Sequence, residues 1–161
     1  MDLPKRKPTR LRGYNYNRAG AYFITICTFE KQKLLCRIVD DGLLSPPTVT
    51  LTEAGKIVEK YIHSTDAVPH VKVDKYVIMP NHIHLLLRVE NGTPWASSPT
   101  HAVVPQAVSA FKRLVGKALG NTIFQRSFHD HIVRNEQDYQ RIWEYIDTNP
   151  YKWKTDIFYT E

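Results

Sequence analysis

Hydrophobic and polar positions change period several times along the chain, and each change marks an element. Residues 21–28, AYFITICT, are aromatic and β-branched with no charge, which predicts a buried strand. Residues 33–39 carry a weaker form of the same signal and are taken as a second strand. Gly42 and the Pro46-Pro47 pair make 40–47 a turn and loop. The period then lengthens. Ala54, Ile57, Val58, Tyr61 and Ile62 recur at helical intervals behind Thr50 and Glu53, which have capping-box spacing, and this predicts a helix over 52–65. Residues 71–79 and 82–90 read as the two strands of a hairpin around Pro80-Asn81. Gly, Pro, Ser and Thr crowd 91–100, a loop that carries Trp95. Val108, Phe111, Val115 and Leu119 predict a helix over 104–119, with Pro105 in its first turn and Gly120-Asn121 as its stop. Residues 123–133, IFQRSFHDHIV, lack a clear period and accommodate a short strand at most. Tyr139, Ile142, Trp143 and Ile146 form the stripe of a last helix, running from Glu136, behind Asn135 as N-cap, to Asn149-Pro150. Eleven residues follow, among them Trp153, Phe158 and Tyr159.

The hairpin holds the first candidate chemistry. Side chains alternate faces along a strand, so His82 and His84 share one face while Ile83, Leu85 and Leu87 point to the other, into a core. Two imidazoles side by side on a strand are half of a metal site. His129 and His131 repeat the spacing and compete for that role, although a hydrogen-bonded, partly buried pair suits their unpatterned segment better. On the last helix, at roughly 100° per residue, Tyr145 lies about 115° from the centre of the core stripe, and Asn149 about 40° further round. The two share a face. An Asn carbonyl is a neutral oxygen ligand. Two imidazoles and an oxygen, completed by water or phosphate oxygens, suit Mg²⁺ or Mn²⁺, whereas a structural zinc would take four protein ligands. A metal so held would polarise a phosphodiester, and attack by Tyr145 would leave a covalent phosphotyrosine.

Composition narrows the partner. The chain has 161 residues with 42% hydrophobic content, enough for one domain with a core. No apolar run approaches 18 residues, no apolar stretch follows the basic N-terminus, and no internal repeat is visible, which points to a cytoplasmic protein. Cys27 and Cys36 lack the short spacing of a zinc framework and suit a reducing compartment. Of the net charge of +6, residues 1–18 hold +5, from Lys5, Arg6, Lys7, Arg10, Arg12 and Arg18 against Asp2. Tyr14 and Tyr16 lie among these cations. Aromatics stack bases and cations hold phosphates, so the arm suits nucleic acid. Lys112 and Arg113 on the second helix suit phosphates equally, or form a solvated face.

These motifs, taken together and in order, resemble a known family. VIMPNHIHLLL, with its His-hydrophobic-His, resembles the HUH motif of single-tyrosine DNA transposases. YIDTNP, FHDHIVRNEQDY, GAYFITICT and the Phe111-Lys112 helix resemble REP-associated tyrosine transposases, over roughly residues 10–153. The resemblance implies an α+β fold: a central antiparallel sheet with helices packed on it, the ferredoxin- or RRM-like HUH nuclease fold. It implies a basic arm over 1–18, a catalytic domain over 19–153 and a short tail over 154–161. It implies Mg²⁺ or Mn²⁺ on His82, His84 and Asn149, the last standing where insertion-sequence relatives carry Gln. It implies Tyr145 as nucleophile, leaving a 5′-phosphotyrosine and a free 3′-OH. The substrate would be single-stranded DNA beside a hairpin of the repeated extragenic palindrome type, contacted by Arg10, Arg12, Tyr14, Lys112, Arg113 and Arg134. The protein would act as a monomer, with a homodimer as alternative. A domesticated hairpin-binding protein without cleavage, or a hydrolase using water as nucleophile, would draw on the same residues.

Overall fold

The computed structural model describes residues 19–43, 45–90 and 103–161. The basic arm with Arg10, Arg12 and Tyr14, and the loop with Trp95, lie outside the described residues. In chain order the elements are β1 (Gly20–Cys27), β2 (Cys36–Val39), β3 (Thr48–Leu51), α1 (Glu53–Ile62), β4 (Val71–Met79), β5 (His82–Val89), α2 (Val103–Leu119), β6 (His129–Ile132) and α3 (Glu136–Thr148). Four strands make one sheet in the order β4-β5-β1-β6, with every neighbouring pair antiparallel. With α1 between β1 and β4 and α2 between β5 and β6, this is the ferredoxin-like βαββαβ arrangement, with β2 and β3 as an added ribbon and α3 appended. Among the described residues, no helix is long and apolar enough to cross a membrane.

Alternation along the two central strands builds one core on each face. Tyr22, Ile24 and Ile26 of β1 and Ile83, Leu85 and Leu87 of β5 meet α1 and α2 through Val58, Ile62, Val104, Val108 and Phe111. On the opposite face Leu86 packs with Ile142 and Ile146 of α3. Burying each of those two isoleucines contributes about 1.5–3 kcal/mol. His82 and His84 belong to the α3 face, in register with Cys27 and Thr25 of β1.

Several local expectations shift. The second strand begins at Cys36 rather than 33, and β3, which has no clear pattern of its own, pairs with it. Thr50 therefore lies in a strand, and the cap of α1 is Thr52, whose hydroxyl accepts from the Gly55 amide. The α-helix ends at Ile62 and a 3-10 turn carries the chain on to Ala67. His129-Asp130-His131 is a strand after all, because the open edge of β1 supplies the pairing that its composition does not announce. Asn135 is the N-cap of α3 as expected, accepting from the Asp138 amide.

Gly55 is the tightest point in this packing. A Cβ there would stand 1.9 Å from the Leu35 carbonyl oxygen, the same backbone group that accepts from the Thr52 amide. In an open helix Gly→Ala stabilises by up to about 1 kcal/mol. Here the sign reverses: Gly55→Ala is expected to destabilise by about 1–3 kcal/mol, the range of overpacked sites. Thermal denaturation against the wild type checks it.

Candidate metal and tyrosine site

The site begins with the β5–β1 register. His82 and His84 are 0% and 1% exposed, and their Nε2 atoms lie 3.1 Å apart. Each ring is held from behind through Nδ1. Asn81 Oδ1 lies 2.8 Å from His82 Nδ1, and Thr25 Oγ1 lies 2.8 Å from His84 Nδ1. Asn81 is itself oriented, donating from Nδ2 to the carbonyls of Phe158 at 2.7 Å and Lys31 at 3.3 Å. Its Oδ1 can only accept, so a neutral His82 carries its proton on Nδ1 and keeps a lone pair on Nε2. Thr25 can accept from His84 Nδ1 in the same way. Both Nε2 atoms are then free for one electrophile, the arrangement in which a second shell fixes the tautomer of metal-ligating imidazoles.

Helix α3 brings the tyrosine. It is pinned to β4 at three points: Tyr139 donates to Asp74 at 2.8 Å, Lys75 pairs with Asp147 at 2.5 Å, and the Lys75 ammonium sits 4.3 Å over the Trp143 ring. Asp74 stands at a register shift in β4, which turns its carboxylate towards Tyr139 and Arg88. So held, Tyr145 places its ring 5.4 Å from His84 and edge-on to Phe23 at 5.9 Å. Asn149, at the end of α3, is 1% exposed. Its Nδ2 donates to Asp156 at 3.4 Å, and among the described residues its Oδ1 is the buried side-chain atom left without a hydrogen-bond partner. Histidines, tyrosine and amide thus meet within one chain.

The segment after Pro150 was expected only as a tail. It winds through a 3-10 turn, Asn149–Thr155, buries Trp153, and crosses the histidines. Phe158 lies 4.6 Å from the His82 ring, and Asp156 Oδ2 lies 4.0 Å from His82 Nε2. One ligand atom from each of His82, His84 and Asp156 lies within 4.8 Å of the others. Sequence reasoning passed over Asp156. It stands on no periodic element, in a mixed run of lysine, threonine and aromatic residues that carries no signature. The donor set of two imidazole nitrogens, one carboxylate and an unpartnered amide oxygen fits a divalent cation such as Mg²⁺ or Mn²⁺, and its four protein donors also match the count of a zinc site.

The remaining predicted residues lie apart. Lys112 donates its ammonium protons to the carbonyls of Gln125, Arg126 and Ser127, tying that segment to α2. Arg113 is exposed on the same helix, on the sheet face opposite the histidines. Arg134 is exposed just before the N-cap of α3. His129 is exposed, and His131 Nε2 pairs with Asp138 at 2.8 Å, so neither shares an ion site with His82.

Burial sets the protonation. It pushes the His82 imidazole down to about 3, against the opposing Asn149 amide and with the Lys31 charge adding, and it holds His84 well below its ordinary value, helped by His82. Both are neutral at pH 7. The Tyr145 phenol is pushed up by burial, then by the Asp156 charge, with Asn149 opposing. The Asp156 carboxyl is also pushed up by burial, against hydrogen bonds from the Phe158 amide and Asn149. A bound cation would reverse the trend for both oxygen acids.

No family model matches the chain. A Haemophilus influenzae protein described as uncharacterized is 30% identical over 175 residues, covering 97% of this chain and 94% of the relative. A solved structure, a REP-associated tyrosine transposase bound to a REP hairpin, superposes with a TM-score of 0.63 at 22% identity over 89% of this chain and 73% of that one, a likeness of fold.

Two measurements probe the site. In manganese titrations followed by electron paramagnetic resonance, His82→Ala should abolish tight binding. Asp156→Asn and Thr25→Val should each weaken it by roughly ten- to a hundredfold. Without metal, the unfolded chain binds a proton on residue 82 near pH 6.5, whereas the folded chain takes one only near pH 3. Stability should therefore fall as pH drops through that window, and His82→Gln should flatten the dependence in thermal melts.

Proposed function

We propose, for a chain that belongs to one family with the Haemophilus influenzae protein and has the fold of the REP-associated tyrosine transposase, that it cleaves and rejoins single-stranded DNA through Tyr145. The observation that carries this reading is the convergence in one chain of two neutral imidazoles, Nε2 atoms 3.1 Å apart, with a tyrosine ring 5.4 Å from one of them. His82, His84 and Asn149 would hold Mg²⁺ or Mn²⁺, with Asp156 as a further donor. Bound there, the cation would offset charge building on the phosphate oxygens.

The protein's own groups do the rest. Tyr145 Oη forms the bond to phosphorus, its proton passing to solvent, while the bond from phosphorus to the 3′ oxygen breaks and that oxygen takes up a proton from water. The products are a 5′-phosphotyrosine and a free 3′-OH. Attack by a 3′-OH reverses the step and returns the proton to Tyr145, so joining needs no nucleotide cofactor. The raised phenol keeps Tyr145 protonated, and so a poor nucleophile, until positive charge is near. The catalytic domain would span 19–153 and the tail 154–161. The arm over 1–18, with Arg10, Arg12 and Tyr14, would join Arg113 and Arg134 in binding DNA hairpins of the repeated extragenic palindrome type, while Lys112 stays committed to the carbonyls of Gln125, Arg126 and Ser127. Assembly of the site within one chain supports a monomer, and the chemistry suits the cytoplasm.

One observation favours a second reading, hairpin binding without cleavage: both histidines are buried, with Phe158 against one of them. A denaturing gel separates the two. With Mn²⁺ and a labelled palindrome copied from the DNA beside its gene, the wild type should give a shifted covalent band. Tyr145→Phe should lose that band altogether while native-gel binding changes less than about threefold. Binding without any band in the wild type would favour the second reading.

A further inference from the structure

The two flanks of the histidine pair differ. Phe158 at 4.6 Å and Trp153 at 6.1 Å cover the His82 side. Phe23, stacked on His84 at 5.0 Å, and Tyr145 stand on the His84 side, and the same two residues wall a cavity of about 270 Å³ completed by His131, Arg141 and Ile142. Its floor is aromatic and aliphatic. Its rim is cationic: the Arg141 side chain is 74% exposed and is aimed by Asp138, which accepts from it at 2.6 Å and also holds His131 at 2.8 Å. Beyond this rim a wider groove of about 650 Å³ continues past Arg134 and Asn135. Among the described residues that line this path, Asp138 is the one carboxylate against Arg141 and Arg134, which leaves the lining net positive.

Resting on the cleavage reading above, we infer that this cavity is the subsite for the nucleotide adjoining the phosphate that Tyr145 attacks, with its base on Phe23 and Ile142 and the strand continuing across Arg141 towards Arg134. Base stacking on an aromatic is tolerant of sequence, and a planar guanidinium grips a phosphate without reading the base. The pocket thus takes single-stranded DNA of any sequence and fixes the distance from a held base to the reacting phosphorus. It differs from the metal cluster in its residues and from the basic arm in its place, and it explains why a half-buried phenylalanine and an arginine–aspartate–histidine cluster stand on the open side of the tyrosine.

The test is anisotropy of a labelled eight-thymidine strand at low salt, which has no hairpin and needs no cleavage. Phe23→Leu removes the ring but keeps the bulk, and Arg141→Glu reverses an exposed charge without touching the core. Each should lower affinity about five- to a hundredfold, the range for loss of one stacked base or one phosphate contact. Arg141→Glu should leave Mn²⁺ binding unchanged, and Phe23→Trp should restore affinity. Equal affinities in the wild type, Phe23→Leu and Arg141→Glu would overturn the subsite. If the wild type still forms its covalent band, that result sinks the subsite alone. Absence of both the band and strand binding in the wild type would remove the cleavage reading with it.

Discussion

Two imidazoles with their acceptor nitrogens 3.1 Å apart in a buried site cannot both carry a proton, and the rest of the structure depends on how that conflict is met. The antiparallel register sets Thr25 opposite His84, and the turn sets Asn81 before His82, so each ring has a polar partner behind it. Asn81 leaves the His82 Nε2 as a lone-pair donor, and Thr25, whose hydroxyl both donates and accepts, allows the same at His84. Burial removes the competing proton at neutral pH. A shift of one residue in the β1–β5 pairing would send both rings into the aliphatic core on the other face, so sheet register and site chemistry are one constraint.

The second half of the site is a matter of docking. α3 fully buries only Ile142 and Ile146, against Leu86, with Tyr139 and Trp143 partly buried beside them. Two fully buried isoleucines do little by themselves to fix a thirteen-residue helix in rotation. The rotation is set by polar links to β4: the Asp74 carboxylate on Tyr139, and Lys75 shared between Asp147 and Trp143. Because Tyr145 and Asn149 are one turn apart, fixing the helix at Tyr139 and Trp143 fixes both groups against the histidines. The chain then folds back, and Asp156 reaches the cluster from beyond the helix end. The site is closed on one flank by aromatics and open on the other, where the tyrosine stands.

Much of this was legible in the order of residues. All three helices followed from periodicity, because burial of one face imposes a spacing of 3.6 on apolar positions, and the long strands from aromatic and β-branched composition between turn residues. His82 and His84 were placed on one face by the alternation of a strand, and Tyr145 beside Asn149 by helical geometry. Short elements were legible only in part: β2 and β6 fall inside 33–39 and 123–133, where strands were allowed for without sharp bounds, and β3 was not read at all. β3 and β6 have four residues each, too few for a period to show, and they exist because a neighbouring strand offers backbone partners. Thr52 and not Thr50 caps α1 because the Leu35 carbonyl approaches there, which is a tertiary fact.

What the sequence determined by itself is the set of local directions: which side chains leave a strand or helix together, and which residue types are candidates for ligand or nucleophile. Periodic backbone geometry is local, and a dozen residues suffice to express it. Only the tertiary structure decided which of these groups meet. Asp156 joins His82 across more than seventy residues, Phe23 comes from the first strand to wall a cavity with Tyr145, and Lys112, a candidate for DNA, gives its donors to backbone carbonyls. Contacts of that kind depend on how whole elements pack. No spacing along the chain encodes them, because each rests on the sum of many weak interactions between surfaces that the chain brings together only once it is folded.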